Sequence, residues 1–260
     1  MRPPLKYHGG KYYLSSWIIS KFPSDYVSLN YYEPFLGGAS VFLRKLPSIS
    51  ENLSDLDNSL INFYQVLTST CDGLKDLLKT LAYHQGNFLW FSQAATTSKL
   101  DEAINFYVKN RMSRGGLGES FAWSNRLRGG KPGDQNAWET SIENLSEVAK
   151  KLRRASISCQ SYSSILPVLL PNAFIYLDPP YLPETRTALN TYNIEMDKKD
   201  HEDMLALIKA SPAKILLSGY ENDLYNKELS SWNRFEKTVV NNASQAKKKN
   251  TRKEVLWANY

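Results

Sequence analysis

Cysteine is nearly absent: the 260 residues contain only Cys71 and Cys159, too few and too far apart for a disulfide framework or a metal-binding pair. The three histidines, His8, His84 and His201, are equally scattered, so no structural or catalytic metal is expected. No apolar run approaches the ~20 residues that a membrane span requires. The opening Met1-Arg2-Pro3-Pro4-Leu5-Lys6 lacks the apolar stretch of a signal peptide. These absences exclude secreted, zinc-stapled and membrane classes and lead to the expectation of a reduced, cytoplasmic protein. The phosphate-cradling pattern G-x-x-x-x-G-K-[ST] is missing, as is the glycine pattern that binds a pyrophosphate, which argues against a nicotinamide dinucleotide. No internal repeat and no low-complexity segment is present.

What is there suffices for one large α/β domain, or for a core domain with an inserted module: 42% of the residues are hydrophobic and 22% charged. The formal net charge of +6 suits a polyanionic partner, because lysine and arginine displace counterions from phosphates. Apolar periodicity predicts a first helix over about 12–21, a strand at 31–33, a loop over 34–40 and a helix from Ser40 carrying Val41, Phe42, Leu43 and Leu46. A strand at 52–56 and a helix from Asn58 to Leu67 follow. Between about 70 and 154 the texture turns helical, with an Arg- and Gly-rich stretch between Arg111 and Ala137. Strands resume at 155–160, 173–177, 214–218, 235–240 and 254–259, with an amphipathic helix at 201–209 and an antiparallel hairpin expected from the final two. Alternating strands and helices imply a mostly parallel sheet. The domain reading is a discontinuous α/β core, 1–68 and 155–260, with a helical insertion at 69–154.

Three segments carry chemistry. The first is Asp178-Pro179-Pro180-Tyr181, directly after the apolar run Ala173-Phe174-Ile175-Tyr176-Leu177. A carboxylate, two prolines without backbone donors and an aromatic ring, expected to be exposed, form a grip for a flat base bearing an exocyclic amine. The second is Glu33-Pro34-Phe35-Leu36-Gly37-Gly38-Ala39-Ser40, a glycine pair between a strand and an expected helix, followed by Asp55 at the end of the next strand. In nucleoside-binding α/β sheets an acid at that place holds ribose hydroxyls. The third is Lys6-Tyr7-His8-Gly9-Gly10-Lys11, in which Lys11 has the reach to meet a carboxylate.

Taken in this order, with Arg252 to Tyr260 as a closing strand, these motifs resemble the Dam-type, alpha-class adenine DNA methyltransferases that use S-adenosylmethionine. The resemblance spans nearly the whole chain and is thin across 70–154. It implies a Rossmann-like mixed sheet with an inserted helical target-recognition domain. It further implies transfer of a methyl group to a flipped-out adenine in double-stranded DNA, with no metal, by a monomer or weak dimer. Carried over by position, Tyr7 and Lys11 line the cofactor pocket, Glu33, Pro34, Phe35, Gly37 and Gly38 lie at the methionine part, and Asp55 binds the ribose. Tyr162 flanks the cofactor's adenine, although Ser161 stands where family members often carry an acid. Asp178 touches both the cofactor and the target amine, it and the Pro179 carbonyl accept the amine hydrogens, Pro180 stiffens the turn, and Tyr181 stacks on the base. Arg111, Arg114, Arg126, Arg128 and Lys131 are the expected DNA contacts. The basic run Lys247-Lys248-Lys249 with Arg252-Lys253 reads equally as a phosphate contact or an exposed turn. An N4-cytosine enzyme and a relative that has lost activity are the alternatives, and restriction-modification, phage and regulatory enzymes look alike at this level.

Overall fold

The structure, a computed structural model, describes all residues except 8, 125, 129, 186–193 and 241–250, and of residues 128 and 240 the backbone alone. The Lys247–Lys249 run and His8 of the N-terminal motif therefore lie outside the described residues. Among the described residues the elements run α1 (Ser15–Ile19), β1 (Asn30–Glu33), β2 (Ser50–Ser54), α2 (Asn58–Ser69), α3 (Cys71–Thr80), α4 (Gln85–Gln93) and α5 (Lys99–Met112). Then come β3 (Leu127–Arg128), β4 (Lys131–Pro132), α6 (Gly133–Glu143), α7 (Leu145–Leu152), β5 (Ser156–Ser158), α8 (Tyr162–Ile165) and β6 (Ala173–Leu177). The chain continues through α9 (Lys198–Ala210), β7 (Lys214–Tyr220), α10 (Asp223–Glu228), β8 (Asn233–Val240) and β9 (Thr251–Ala258). The chain divides into two compact units. One comprises Met1–Ile19, Gly37–Lys45 and Asp55–Cys159, the other Ser20–Leu36, Leu46–Ser54 and Gln160–Tyr260.

The second unit is built on a mixed sheet in the order β2-β1-β6-β7-β9-β8. β2, β1, β6 and β7 run parallel; β9 is antiparallel to both β7 and β8. All five residues of β6 are buried, as a central parallel strand covered on both faces requires. α9 packs Met204, Leu205 and Ile208 into the same core as Ile175, Leu177, Ile215 and Leu217. Its start is set by Asp197, which accepts the Asp200 amide hydrogen at 2.9 Å while the Asp200 carboxylate accepts from the Asp197 amide.

The first unit is mainly helical and includes β5. α2 begins where Asp57 accepts hydrogen bonds from the Ser59 and Leu60 amides, at 3.0 and 3.2 Å. It buries Leu60, Ile61, Phe63, Tyr64, Val66 and Leu67, more than one face, because α5 and α7 both pack on it. The helix expected from Ser40 does not form. Ala39 sits at φ 55°, outside the right-handed helical region, and residues 39–45 close only a short turn through Leu43 N to Ala39 O and Lys45 N to Val41 O. The Lys151 ammonium donates to the Leu43 and Lys45 carbonyls at 3.0 and 2.7 Å, satisfying groups that a longer helix would have used. Leu46, expected on an apolar face, is 65% exposed. The first helix is likewise shorter than expected, with Tyr12 and Tyr13 in the turn before it.

Candidate active site

In the second unit, β6 delivers Asp178 at its C-terminal end. The Ser218 hydroxyl donates to Asp178 Oδ1 at 2.6 Å, the length of a charge-assisted O–H···O bond. Register explains the meeting: Leu177 on β6 pairs with Leu217 on β7, so Asp178, one residue past the end of β6, lies beside Ser218 within β7. The same Ser218 oxygen lies 3.3 Å from the Tyr176 hydroxyl. Burial and then the Asp178 charge hold the Tyr176 phenol well above its ordinary range. Tyr176 and Ser218 are both buried.

Tyr181, expected to present an exposed face, is 8% exposed. Its hydroxyl donates to Glu254 Oε2 on β9 at 2.8 Å, and its ring meets Tyr220 edge to face at 4.6 Å and 77°. The Arg252 guanidinium lies 5.5 Å from the centre of the Tyr220 ring and donates to the Tyr220 hydroxyl at 3.1 Å. Burial, then the charges of Glu254 and Asp178, push the Tyr181 phenol well up. Cross-strand partners on β7 and β9 therefore cover the ring, a consequence of tertiary placement that the tetrapeptide itself does not carry.

Glu33 and Pro34 are buried at the end of β1, and Glu33 Oε2 accepts a hydrogen bond from the Tyr31 hydroxyl at 2.6 Å. Burial and the Glu33 charge raise the Tyr31 phenol well above the usual range. Phe35 stacks on Tyr162 with centroids 5.5 Å apart and planes 28° off parallel, and the Tyr162 hydroxyl donates to the Asp200 carbonyl at 3.1 Å. The sequence named both aromatics as site candidates without showing that they stack on one another.

In the first unit, Tyr7 packs into the gap left by the glycine pair. A Cβ on Gly37 would lie 2.8 Å from Tyr7 Cε1, and one on Gly38 would lie 2.9 Å from Tyr7 Cβ. Gly37 also adopts φ 45°, which disfavours any side chain. Its amide donates to Asp55 Oδ2 at 3.0 Å and its carbonyl accepts from the Tyr64 hydroxyl at 2.9 Å. Asp55 Oδ1 accepts from the Asp57 amide at 3.1 Å. Burial raises the Asp55 carboxyl above its usual value, against the pull of those amides. Lys11 is buried and its ammonium donates to the Gly9 carbonyl at 3.0 Å. Tyr7, Gly37, Gly38 and Asp55 therefore form one connected cluster.

The Arg- and Gly-rich stretch divides by burial. Arg111, expected to contact DNA, is buried: its Nη2 donates to the Ala137 carbonyl at 2.8 Å and its Nε has no hydrogen-bond partner among the described residues. The run-in to the stretch is still α5, and its helical periodicity turns Arg111 inward with Val108 and Met112. Arg114 and Arg126 are exposed, as is Lys131, whose ammonium pairs with Glu139 at 2.6 Å. The Arg128 side chain lies outside the described residues. Gly116 is a packing device: a Cβ there would fall 1.6 Å from the Lys6 carbonyl oxygen, which the Asn110 side chain also binds at 3.1 Å. Sequence reasoning missed Ser218, Tyr176, Tyr220 and Glu254 around the tetrapeptide. The available signal was slight: one hydroxyl interrupting the apolar Ile215-Leu216-Leu217, and one acid in the β9 strand.

A model of the D12 class N6 adenine-specific DNA methyltransferase family matches residues 7–244. The type II methyltransferase M.MjaIII of Methanocaldococcus jannaschii is 26% identical over 296 aligned positions, covering 100% of this chain and 99% of the relative. The DNA adenine methylase of Haemophilus influenzae is 25% identical, covering 92% of this chain and 86% of the relative. That of Serratia marcescens is 27% identical, with 85% and 84% covered.

Proposed function

The chain belongs to the D12 class N6 adenine-specific DNA methyltransferase family, and from that premise we propose how its residues divide the work of adenine methylation in DNA. S-adenosylmethionine, the methyl donor that family membership implies, supplies an electrophilic methyl group on a sulfonium. The donor set on the chain fits such a molecule. Asp55, held by the Gly37 and Asp57 amides, is the acceptor for ribose hydroxyls, and the Lys11 ammonium is the counter-charge for the methionine carboxylate. Tyr7, Gly37 and Gly38 line the same part of the first unit. In the second unit Glu33, Pro34 and Phe35 continue the loop, and Tyr162 is the aromatic neighbour of the cofactor's adenine.

The target amine is a weak nucleophile because its lone pair is delocalised into the purine ring. The base leaves the duplex at a cost of a few kcal/mol of unstacking. Asp178 and the Pro179 carbonyl then accept the two N–H hydrogens, which turns the nitrogen lone pair toward the methyl carbon. With the donor bound, its sulfonium would supply the methyl group to that nitrogen, the S–C bond breaking as the N–C bond forms, and Asp178 would carry the surplus proton from nitrogen toward solvent. Positioning supplies much of the rate, and the Asp178 charge stabilises the positive charge growing on nitrogen. Pro180 stiffens the turn, and Tyr181, bound by its hydroxyl to Glu254 and packed on Tyr220, braces that turn from behind. The chemistry needs no metal. Residues 69–154 are the target-reading insertion, with Arg114, Arg126, Arg128 and Lys131 on double-stranded DNA.

The observation that supports this reading most directly is Asp178 at the end of β6 with one carboxylate oxygen already fixed by a hydroxyl. The test is Asp178→Ala with methyl-labelled S-adenosylmethionine and unmethylated genomic DNA, digested to nucleosides. The wild-type chain labels N6-methyladenine; the variant binds the donor and transfers nothing. Normal turnover by the variant would sink the assignment.

A further inference from the structure

Asp178 has to do more than be charged: its carboxylate plane must face the amine at one angle. A carboxylate at a strand end turns freely about Cβ–Cγ unless something holds an oxygen, because that torsion has a broad energy profile. Here Oδ1 is held at 2.6 Å by the Ser218 hydroxyl.

Ser218 has one proton and three oxygens within reach, Asp178 Oδ1 at 2.6 Å and the Leu177 carbonyl and Tyr176 hydroxyl at 3.3 Å. The shorter contact with the charged group takes it. The Tyr176 phenol, 3.3 Å away, then donates into the Ser218 oxygen, so that the chain of hydroxyls is polarised toward the carboxylate. Ser218 is 1% exposed and lies on β7 between Leu217 and Gly219. A polar side chain at that depth in an apolar strand carries a desolvation penalty that a hydrocarbon would avoid.

We propose that Ser218 is a positioning residue for methyl transfer, setting the orientation of the Asp178 carboxylate without touching base or methyl donor. The inference rests on the reading of Asp178 as acceptor of the target amine. Removing the hydroxyl takes away the hydrogen bond that sets Oδ1 at 2.6 Å and leaves the rest of the carboxylate's surroundings in place, so the loss falls on the transfer step. Donor and DNA binding, to which the Ser218 hydroxyl makes no contact and which rest mainly on other residues, are left nearly unchanged.

The test compares single-turnover methyl transfer by Ser218→Ala, Ser218→Thr and Asp178→Ala, with melting temperature and the Kd for donor and DNA measured on each. Ser218→Ala is expected to lower the transfer rate by about 10- to 100-fold, the range implied by one hydrogen bond to a charged group. Both Kd values should stay within about threefold of wild type, and Ser218→Thr should recover most of the rate. Ser218→Ala transferring at the wild-type rate while Asp178→Ala is inert would overturn this inference alone. Turnover by Asp178→Ala would overturn the function reading beneath it. A Ser218→Thr protein that melts like wild type yet is as slow as the alanine variant would also overturn the proposal, as would a loss confined to binding. If Ser218→Ala fails to fold, Ser218→Cys replaces it: a weak sulfhydryl donor should cost about 10-fold in rate, and an unchanged rate would overturn the proposal.

Discussion

Gly37→Ala tests the claim that the glycine pair exists to admit Tyr7. At φ 45° an L-residue costs about 1–2 kcal/mol, of which the lower unfolded-state entropy of alanine returns roughly 0.4–1. The added methyl would also lie 2.8 and 3.0 Å from the Tyr7 ring carbons Cε1 and Cδ1. Overpacking of that kind costs about 1–3 kcal/mol. The total for Gly37→Ala is therefore about 1–4 kcal/mol, and the ring contributes the larger share. In a Tyr7→Ala background the ring is gone and only the backbone share remains. Urea unfolding of the wild type, both single variants and the double variant should give a coupling energy of about 1–3 kcal/mol, with the double variant less destabilised than the sum. Additivity within about 0.5 kcal/mol would refute the packing argument, since independent sites add to that tolerance. Because the Gly37 amide also binds Asp55 at 3.0 Å, Gly37→Ala should weaken donor binding as well, and Tyr7→Ala should partly restore it.

Two further expectations concern charge. Burial, and then the Arg111 charge, lower the Lys6 ammonium from its ordinary 10.5 to about 8. Between those values the unfolded chain holds a proton that the folded chain has lost, so folding stability rises with pH across about 8 to 10; Lys6→Met should flatten that rise in urea titrations and gain stability at neutral pH, and an unchanged profile would contradict it. Arg126→Ala should leave unfolding unaltered and reduce the slope of log Kd for DNA against log salt by about one contact, whereas Arg111→Ala should lower stability through its lost buried bond to Ala137; the reverse pattern in melting and filter-binding assays would show that the burial argument is wrong.

The parts of the fold that were legible in the sequence are those with a single dominant local cause. β6 follows from five consecutive apolar residues, α2 from an acid cap and a periodic face, and the β8–β9 hairpin from two neighbouring strand patterns. The tetrapeptide at 178–181, the glycine pair and Asp55 were legible because their chemistry is written in residue type. The structure departs from the reading where distant groups decide the outcome. Lys151 reaches the carbonyls of Leu43 and Lys45 from more than a hundred positions away, and a helix gives way to a turn. Arg111 looked like part of a basic surface because its neighbours are basic, but helical phase, not composition, sets its direction. Tyr181 is covered by residues from β7 and β9, and Ser218 meets Asp178 only because β6 and β7 pair in one register. No window of local sequence holds that information.

The position of β9 carries a consequence for how the protein comes into being on the ribosome. β9 lies between β7 and β8 in the sheet but follows both in the chain. A nascent chain that has emerged only through β8 therefore has no partner in this sheet for the outer edge of β7, and β8 has nowhere to dock. The same strand brings Glu254, the acceptor of the Tyr181 hydroxyl. Translation must pass residue 258 before the motif near residue 180 is assembled, so a ribosome stalled earlier carries an exposed strand edge and an unbuilt site. Supplying residues 251–258 in trans to such a fragment would make methylation a direct readout of strand insertion.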